Sequence, residues 1–155
     1  MEKRNLSAEV LSRLTGRTLA TAESLTGGGI GAALTAVPGA SAVYKGGVVS
    51  YTNEVKQGVL GVSQETLDRW GAVSSPTAEQ MAQGVRRLLR ADVAVSVTGL
   101  AGPGGDEFGH EVGTVFVGYA DGDRNFAREH RFDGDRVQIR EQTIRAALNL
   151  ILEMN

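Results

Sequence analysis

A chain of 155 residues suits one domain and can bury a sizeable core without staples. It has no cysteine, which excludes disulfides, thiolate chemistry and cysteine-ligated zinc, and its 41% hydrophobic and 22% charged residues are the balance of an ordinary globular domain. A net charge of −2 with scattered Lys and Arg leaves no nucleic-acid footprint, and no apolar run approaches the roughly 18–20 residues of a membrane span, so a cytoplasmic protein without nucleic-acid or membrane partners is expected.

Along the chain, Leu6, Val10, Leu11 and Leu14 share one helical face over residues 5–15, and Gly16 closes the helix. Residues 18–22 read as a short buried strand. The helix after it carries Ile30, Ala33, Leu34 and Val37 on one face until Pro38-Gly39 interrupts it. A second strand is predicted from Val43 to Tyr51, with Gly46-Gly47 marking a bulge or a ligand against the backbone. Thr52-Asn53 opens a short helix holding Lys56, and residues 64–70 form another, stopped by Gly71. Ser75 is read as the cap of a long helix with Pro76 in its first position. Residues 92–98 are nearly all apolar, as in a strand covered on both faces. The strands 112–119 and 126–132 form a hairpin around Asp121-Gly122-Asp123, and Asp135 caps the last helix. Alternating strands and helices with a late hairpin imply an α/β layer fold with a mixed sheet.

The stretch Thr21-Ala22-Glu23-Ser24-Leu25-Thr26-Gly27-Gly28-Gly29 sits where a strand hands over to a helix. Such a junction supplies backbone N–H groups and the positive end of a helix dipole, which suit an anion or a developing oxyanion. Ser24 is the nucleophile candidate at that junction, and capping of the helix by Ser24 or Thr26 is the plain alternative. The Walker, dinucleotide and Gly-x-Ser-x-Gly patterns all fail here, since Ala32-Ala33 follows Gly31, Leu34 stands where a glycine is needed, and Ala22 and Thr26 flank Ser24. His110 and His130 are read as surface or structural residues, and no spacing supports a metal site. Lys56 offers a base: a neutral lysine near a helix N-terminus can take a serine proton, with Tyr51 relaying or orienting it. A solvated Lys56 and a strand-end anchor at Tyr51 are the alternative.

The run Ala22-Glu23-Ser24-Leu25-Thr26-Gly27-Gly28 resembles the ESxTGG signature of the CinA C-terminal domain family. So do residues 37–41, 47–56, 71–74, 98–105 and 112–115, in the family's order. The resemblance covers essentially the whole chain, residues 1–155, as one domain, and implies a three-layer α/β/α fold with a mixed sheet. Members of this family include nicotinamide mononucleotide deamidases, so the resemblance implies hydrolysis of that carboxamide without metal or organic cofactor. Carried over residue by residue, Ser24 is the nucleophile, with Lys56 and Tyr51 beside it. Thr26, Gly27 and Gly28 would hold the oxyanion and neighbouring parts of the substrate, and Gly46 would lie against it. The loop with Thr98, Gly99 and Gly102 would hold ribose phosphate together with Arg140, while Arg136 is read as a solvated residue. Two departures stand out: Leu25 replaces a frequent cysteine, and Gly109-His110-Glu111 replaces a Lys-Pro. The resemblance further implies a homodimer, and larger members add an N-terminal nucleotide-processing domain that is not expected in this chain. A non-catalytic binding module and an amidase for a different amide are the rival expectations.

Overall fold

The computed structural model describes residues 4–155. Helix α1 (Leu6–Arg13) is capped by Asn5, whose side chain accepts from the Ala8 N–H. Strand β1 (Leu19–Glu23) leads into α2 (Gly29–Thr35), and a 3-10 turn over Ala40–Ala42 precedes β2 (Tyr44–Val49). Three helices follow: α3 (Asn53–Gly58), α4 (Gln64–Trp70) and α5 (Ser75–Leu89). Strand β3 (Val93–Gly99), the hairpin of β4 (Thr114–Ala120) and β5 (Asn125–Arg131), and α6 (Arg136–Met154) complete the chain. Among the described residues, no helix is long and apolar enough to cross a membrane.

The five strands form one mixed sheet in the order β2-β1-β3-β4-β5. β1 is parallel to β2 and β3, whereas β4 and β5 run antiparallel. Strands β1 and β4 are buried along their whole length and β3 for all but its last residue, because helices cover both faces. One layer packs Val10, Ile30, Leu34, Ile139 and Ile151 of α1, α2 and α6 against Val95 and Val97. The other packs Leu67, Met81 and Val85 of α4 and α5 against Ala20, Ala22 and Ala94. The fold is thus the expected mixed-sheet α/β arrangement. Helix α5 lies so close to β4 that a Cβ on Gly118 would run into the Ala78 carbonyl and the Ser96 hydroxyl.

Two local expectations change. The cap of α5 is Ser74, with Ser75 and Pro76 already inside the helix; the Ser74 hydroxyl accepts from the Thr77 N–H at 3.3 Å and donates to Gly71 O. The double glycine does make a bulge, since the β1–β2 register slips between Leu19 and Ala20. Gly47 lies against the Thr21 carbonyl and hydroxyl, space a side chain would occupy, and Gly46 pairs with Ala20 near the start of the strands.

The topology opens a cleft. The connection leaving β1 through α2 covers one face, while the connection leaving β2 through α5 covers the other. The chain therefore parts at the C-terminal end of β1, between β2 and β3, where open α/β sheets form their ligand crevices.

Candidate active site

At the end of β1 the chain turns sharply through Ser24 to Gly28. The Ser24 N–H still bonds to Val97 O of β3, and the Gly27 N–H closes a turn on Ser24 O at 3.1 Å. Gly27 and Gly28 both take positive φ, 58° and 100°, which this turn requires. Next door, the Ser50 N–H bonds to Glu23 O at 2.7 Å, carrying the β1–β2 pairing one step further and fixing Ser50 beside Ser24. Thr52 then caps α3, whose first turn swings Lys56 inward.

The result is a buried contact between two residues 32 positions apart. Lys56 Nζ lies 3.1 Å from Ser24 Oγ and donates to Ser50 O at 2.8 Å. Lys56 is 1% exposed and Ser24 7%. Burial lowers the Lys56 pKa from 10.5 to about 8, because an ammonium loses its hydration there. With that pKa about a tenth of Lys56 is neutral at pH 7, against fewer than about one in a thousand for free lysine. A neutral amine anchored to Ser50 O keeps a lone pair for the Ser24 proton.

These two residues open into a cleft of about 290 Å³. Its walls are Leu25, Tyr51, Asn53, Ala72, Val73, the 98–104 segment and Arg136. Thr98, Gly99 and Gly102 line it. The Thr98 hydroxyl donates to Ala72 O at 2.7 Å and so ties the strand end to the opposite wall. No carboxylate lines the cleft among the described residues, and Arg136 brings a guanidinium to it.

The remaining expected site residues hold different positions. Tyr51 is at the rim, 59% exposed, and its hydroxyl accepts from Arg136 Nη2 at 3.2 Å. It bonds to neither Ser24 nor Lys56, and it faces the same cleft from the rim. The alternation along β2 continues past the strand: Ser50 turns in and Tyr51 out. Thr26, Gly27, Gly28 and Gly46 do not line the cleft. Thr26 gives its hydroxyl to Glu23 Oε1 at 2.5 Å. The first turn of α2 is not open to an anion either. Glu23, 2% exposed, accepts from the Ile30 N–H at 2.8 Å with Oε1 and from the Gly31 N–H at 3.0 Å with Oε2, so an internal carboxylate occupies the helix N-terminus.

The two arginines exchange roles. Arg140 sits behind the Ser24 turn, giving Nε to Leu25 O at 2.9 Å and Nη2 to Thr26 O at 3.2 Å, and it does not reach the cleft. Arg136, one turn earlier, does reach it and donates to Gly102 O at 2.6 Å. Sequence reasoning assigned no site role to Ser50, Asn53 and Glu23, and it read Arg136 as solvated. Only Glu23 carried a local signal, as an acid one residue before a strand-to-helix turn.

The sequence matches the CinA C-terminal domain family over residues 3–155. Similar proteins include a CinA-like protein of Synechococcus sp. (strain CC9311), 55% identical over 119 residues, covering 76% of this chain and 28% of the relative. Another is a CinA-like protein of Endomicrobium trichonymphae, 46% identical over 135 residues, covering 87% of this chain and 32% of the relative. Among solved structures, a competence-damaged protein (CinA) superfamily protein from Escherichia coli superposes with a TM-score of 0.95 at 35% identity, covering 97% of this chain and 89% of that one. The competence/damage inducible protein CihA from Agrobacterium tumefaciens gives 0.93 at 41% identity, covering 100% and 98%. The chain spans about a third of the length of the curated relatives it matches. With fold, motif order and family match in agreement, the chain belongs to the CinA C-terminal domain family.

Proposed function

We propose that this domain hydrolyses the carboxamide of nicotinamide mononucleotide to the acid and ammonia, with Ser24 as nucleophile and Lys56 as its base. The observation that carries the reading is the buried 3.1 Å contact between Lys56 Nζ and Ser24 Oγ. A lysine with a pKa near 8 is poised to take a proton near neutral pH and return it. Ser24 Oγ adds to the amide carbon as its proton passes to Lys56, and the carbonyl electron pair moves onto oxygen. Collapse of that intermediate expels the amine, which takes the Lys56 proton and leaves as ammonia. Water, deprotonated by Lys56, then releases the acid and regenerates Ser24.

The choice of an anionic mononucleotide rests on the family resemblance and on cleft charge. Arg136 faces a cleft without carboxylates, and Tyr51 and Gly102 O hold its guanidinium there. A fixed guanidinium is suited to phosphate, which it binds with paired N–H donors. The test is to incubate the protein with the mononucleotide and measure both ammonia and product acid. Wild type should turn it over and Ser24→Ala should fall by several orders of magnitude. Wild type that releases no ammonia defeats the substrate assignment, and a Ser24→Ala variant keeping more than about a tenth of the rate defeats serine catalysis.

A further inference from the structure

Arg140 is half-buried on the second turn of α6 and forms no ion pair among the described residues. Its guanidinium is committed to two successive backbone carbonyls, Leu25 O and Thr26 O. A trans peptide carries its C=O and N–H on opposite sides. Drawing Leu25 O toward Arg140 therefore turns the Thr26 N–H away from it, and drawing Thr26 O does the same to the Gly27 N–H. That Gly27 N–H lands on the backbone carbonyl of Ser24, so this carbonyl lies on the side facing away from Arg140.

The N–H groups of Leu25 and Thr26 have no acceptor among the described residues, although Leu25 is 4% and Thr26 1% exposed. Backbone N–H groups of nearly buried residues are seldom left without an acceptor, and Leu25 lines the cleft beside Ser24 while Thr26 follows it directly. Two such N–H groups in succession, directly after a serine paired with a buried lysine, form a donor pair suited to a developing oxyanion. Gly27 and Gly28 follow at once, in a segment whose backbone can rotate with little steric resistance. Without a tether, the 25–26 peptide is free to turn its carbonyl where the N–H should be, and a donor becomes a repelling acceptor.

We propose that Arg140 is a positioning residue that holds the Leu25–Thr26 peptide in the orientation that forms the oxyanion site, and that it does not read phosphate. The proposal rests on the amide-hydrolysis reading for its rate measurements. It predicts that Arg140→Ala lowers kcat about a hundredfold, the scale of losing an oxyanion donor, with KM changed less than about threefold. The loss should be equal on the mononucleotide and on its phosphate-free riboside, and the pH midpoint set by Lys56 should not move. Added guanidine should restore part of kcat in Arg140→Ala. A rise in KM confined to the mononucleotide, or an unchanged kcat, overturns the proposal. A probe independent of turnover is 3-pyridylboronic acid, whose boron accepts Ser24 Oγ and becomes a tetrahedral anion as the proton passes to Lys56. Boron NMR should show that adduct in wild type, none in Ser24→Ala, and weaker binding in Arg140→Ala by a factor similar to the kcat loss. If wild type forms the adduct but leaves the mononucleotide intact, the substrate reading fails while the boronate comparison still decides the role of Arg140. Wild type that forms no adduct and hydrolyses neither substrate overturns both.

Discussion

Burying an ammonium has a thermodynamic signature that can be measured without any substrate. Lys56 titrates near 10.5 when solvated and near 8 in the folded protein. Between those values the unfolded chain holds a proton that the folded chain has released, so stability rises as pH climbs through this window. At pH 7 both states are mostly protonated, and the folded one is penalised by about 3 kcal/mol at 1.36 kcal/mol per pH unit. Between about pH 7 and about pH 9, roughly 1 kcal/mol of this is recovered. Lys56→Met keeps the length of the side chain and removes the charge. It leaves Ser50 O without its donor, which costs about 1–3 kcal/mol, but that loss does not vary with pH. The measurement is urea unfolding of wild type and Lys56→Met at a series of pH values, taking the difference between the two proteins so that all other groups cancel. The difference should shift by about 1 kcal/mol in favour of wild type from pH 7 to pH 9. A pH-independent difference would mean that Lys56 keeps an ordinary pKa, and its role as a base at neutral pH would fall with it.

Other outcomes follow from single contacts. Arg136→Ala should raise KM for the mononucleotide about ten- to a hundredfold and leave the riboside nearly unchanged, read by steady-state kinetics on both. Glu23→Gln replaces one acceptor oxygen with a donor facing the N-terminus of α2 or the Thr26 hydroxyl, and should cost about 2 kcal/mol in denaturant unfolding; no loss would mean the carboxylate does not hold the helix. Ser74→Ala removes the cap of α5 and should cost about 1 kcal/mol. Gly118→Ala forces β4 away from α5 and should cost about 1–3 kcal/mol, seen as a lower Tm.

Much of the architecture is legible from local patterns. The cap at Asp135 is visible because an acid precedes a long apolar period, and its reciprocal partner Gln138 completes a capping box. The central strand β3 announces itself as an unbroken apolar run. The caps that misled are those with two candidates side by side: Ser74 and Ser75 are chemically equal, and the choice depends on which hydroxyl also reaches Gly71 O. The site is less legible, because its decisive contacts cross between elements. Ser24 and Lys56 meet only because β1 pairs with β2 in a register that sets Ser50 beside Glu23. The glycine run looks like an anion cradle until Glu23 fills the helix N-terminus from within. The arginines differ by about one helical turn, about 6 Å along α6, and that step decides whether a guanidinium enters the cleft or braces the turn behind it. No periodicity encodes how far along its axis a helix docks.

The most direct test of the central claim is the pH dependence of kcat/KM for ammonia release from the mononucleotide. With Lys56 as the base for Ser24, the profile should rise with pH through a single midpoint near 8 and then level off. The stability comparison with Lys56→Met should begin to climb at the same pH, and Lys56→Arg should be nearly inactive because guanidinium does not release its proton in this range. A profile that is flat from about pH 7 upward, or one that rises only near the free-lysine value of about 10.4, would contradict catalysis by a buried Ser24–Lys56 pair.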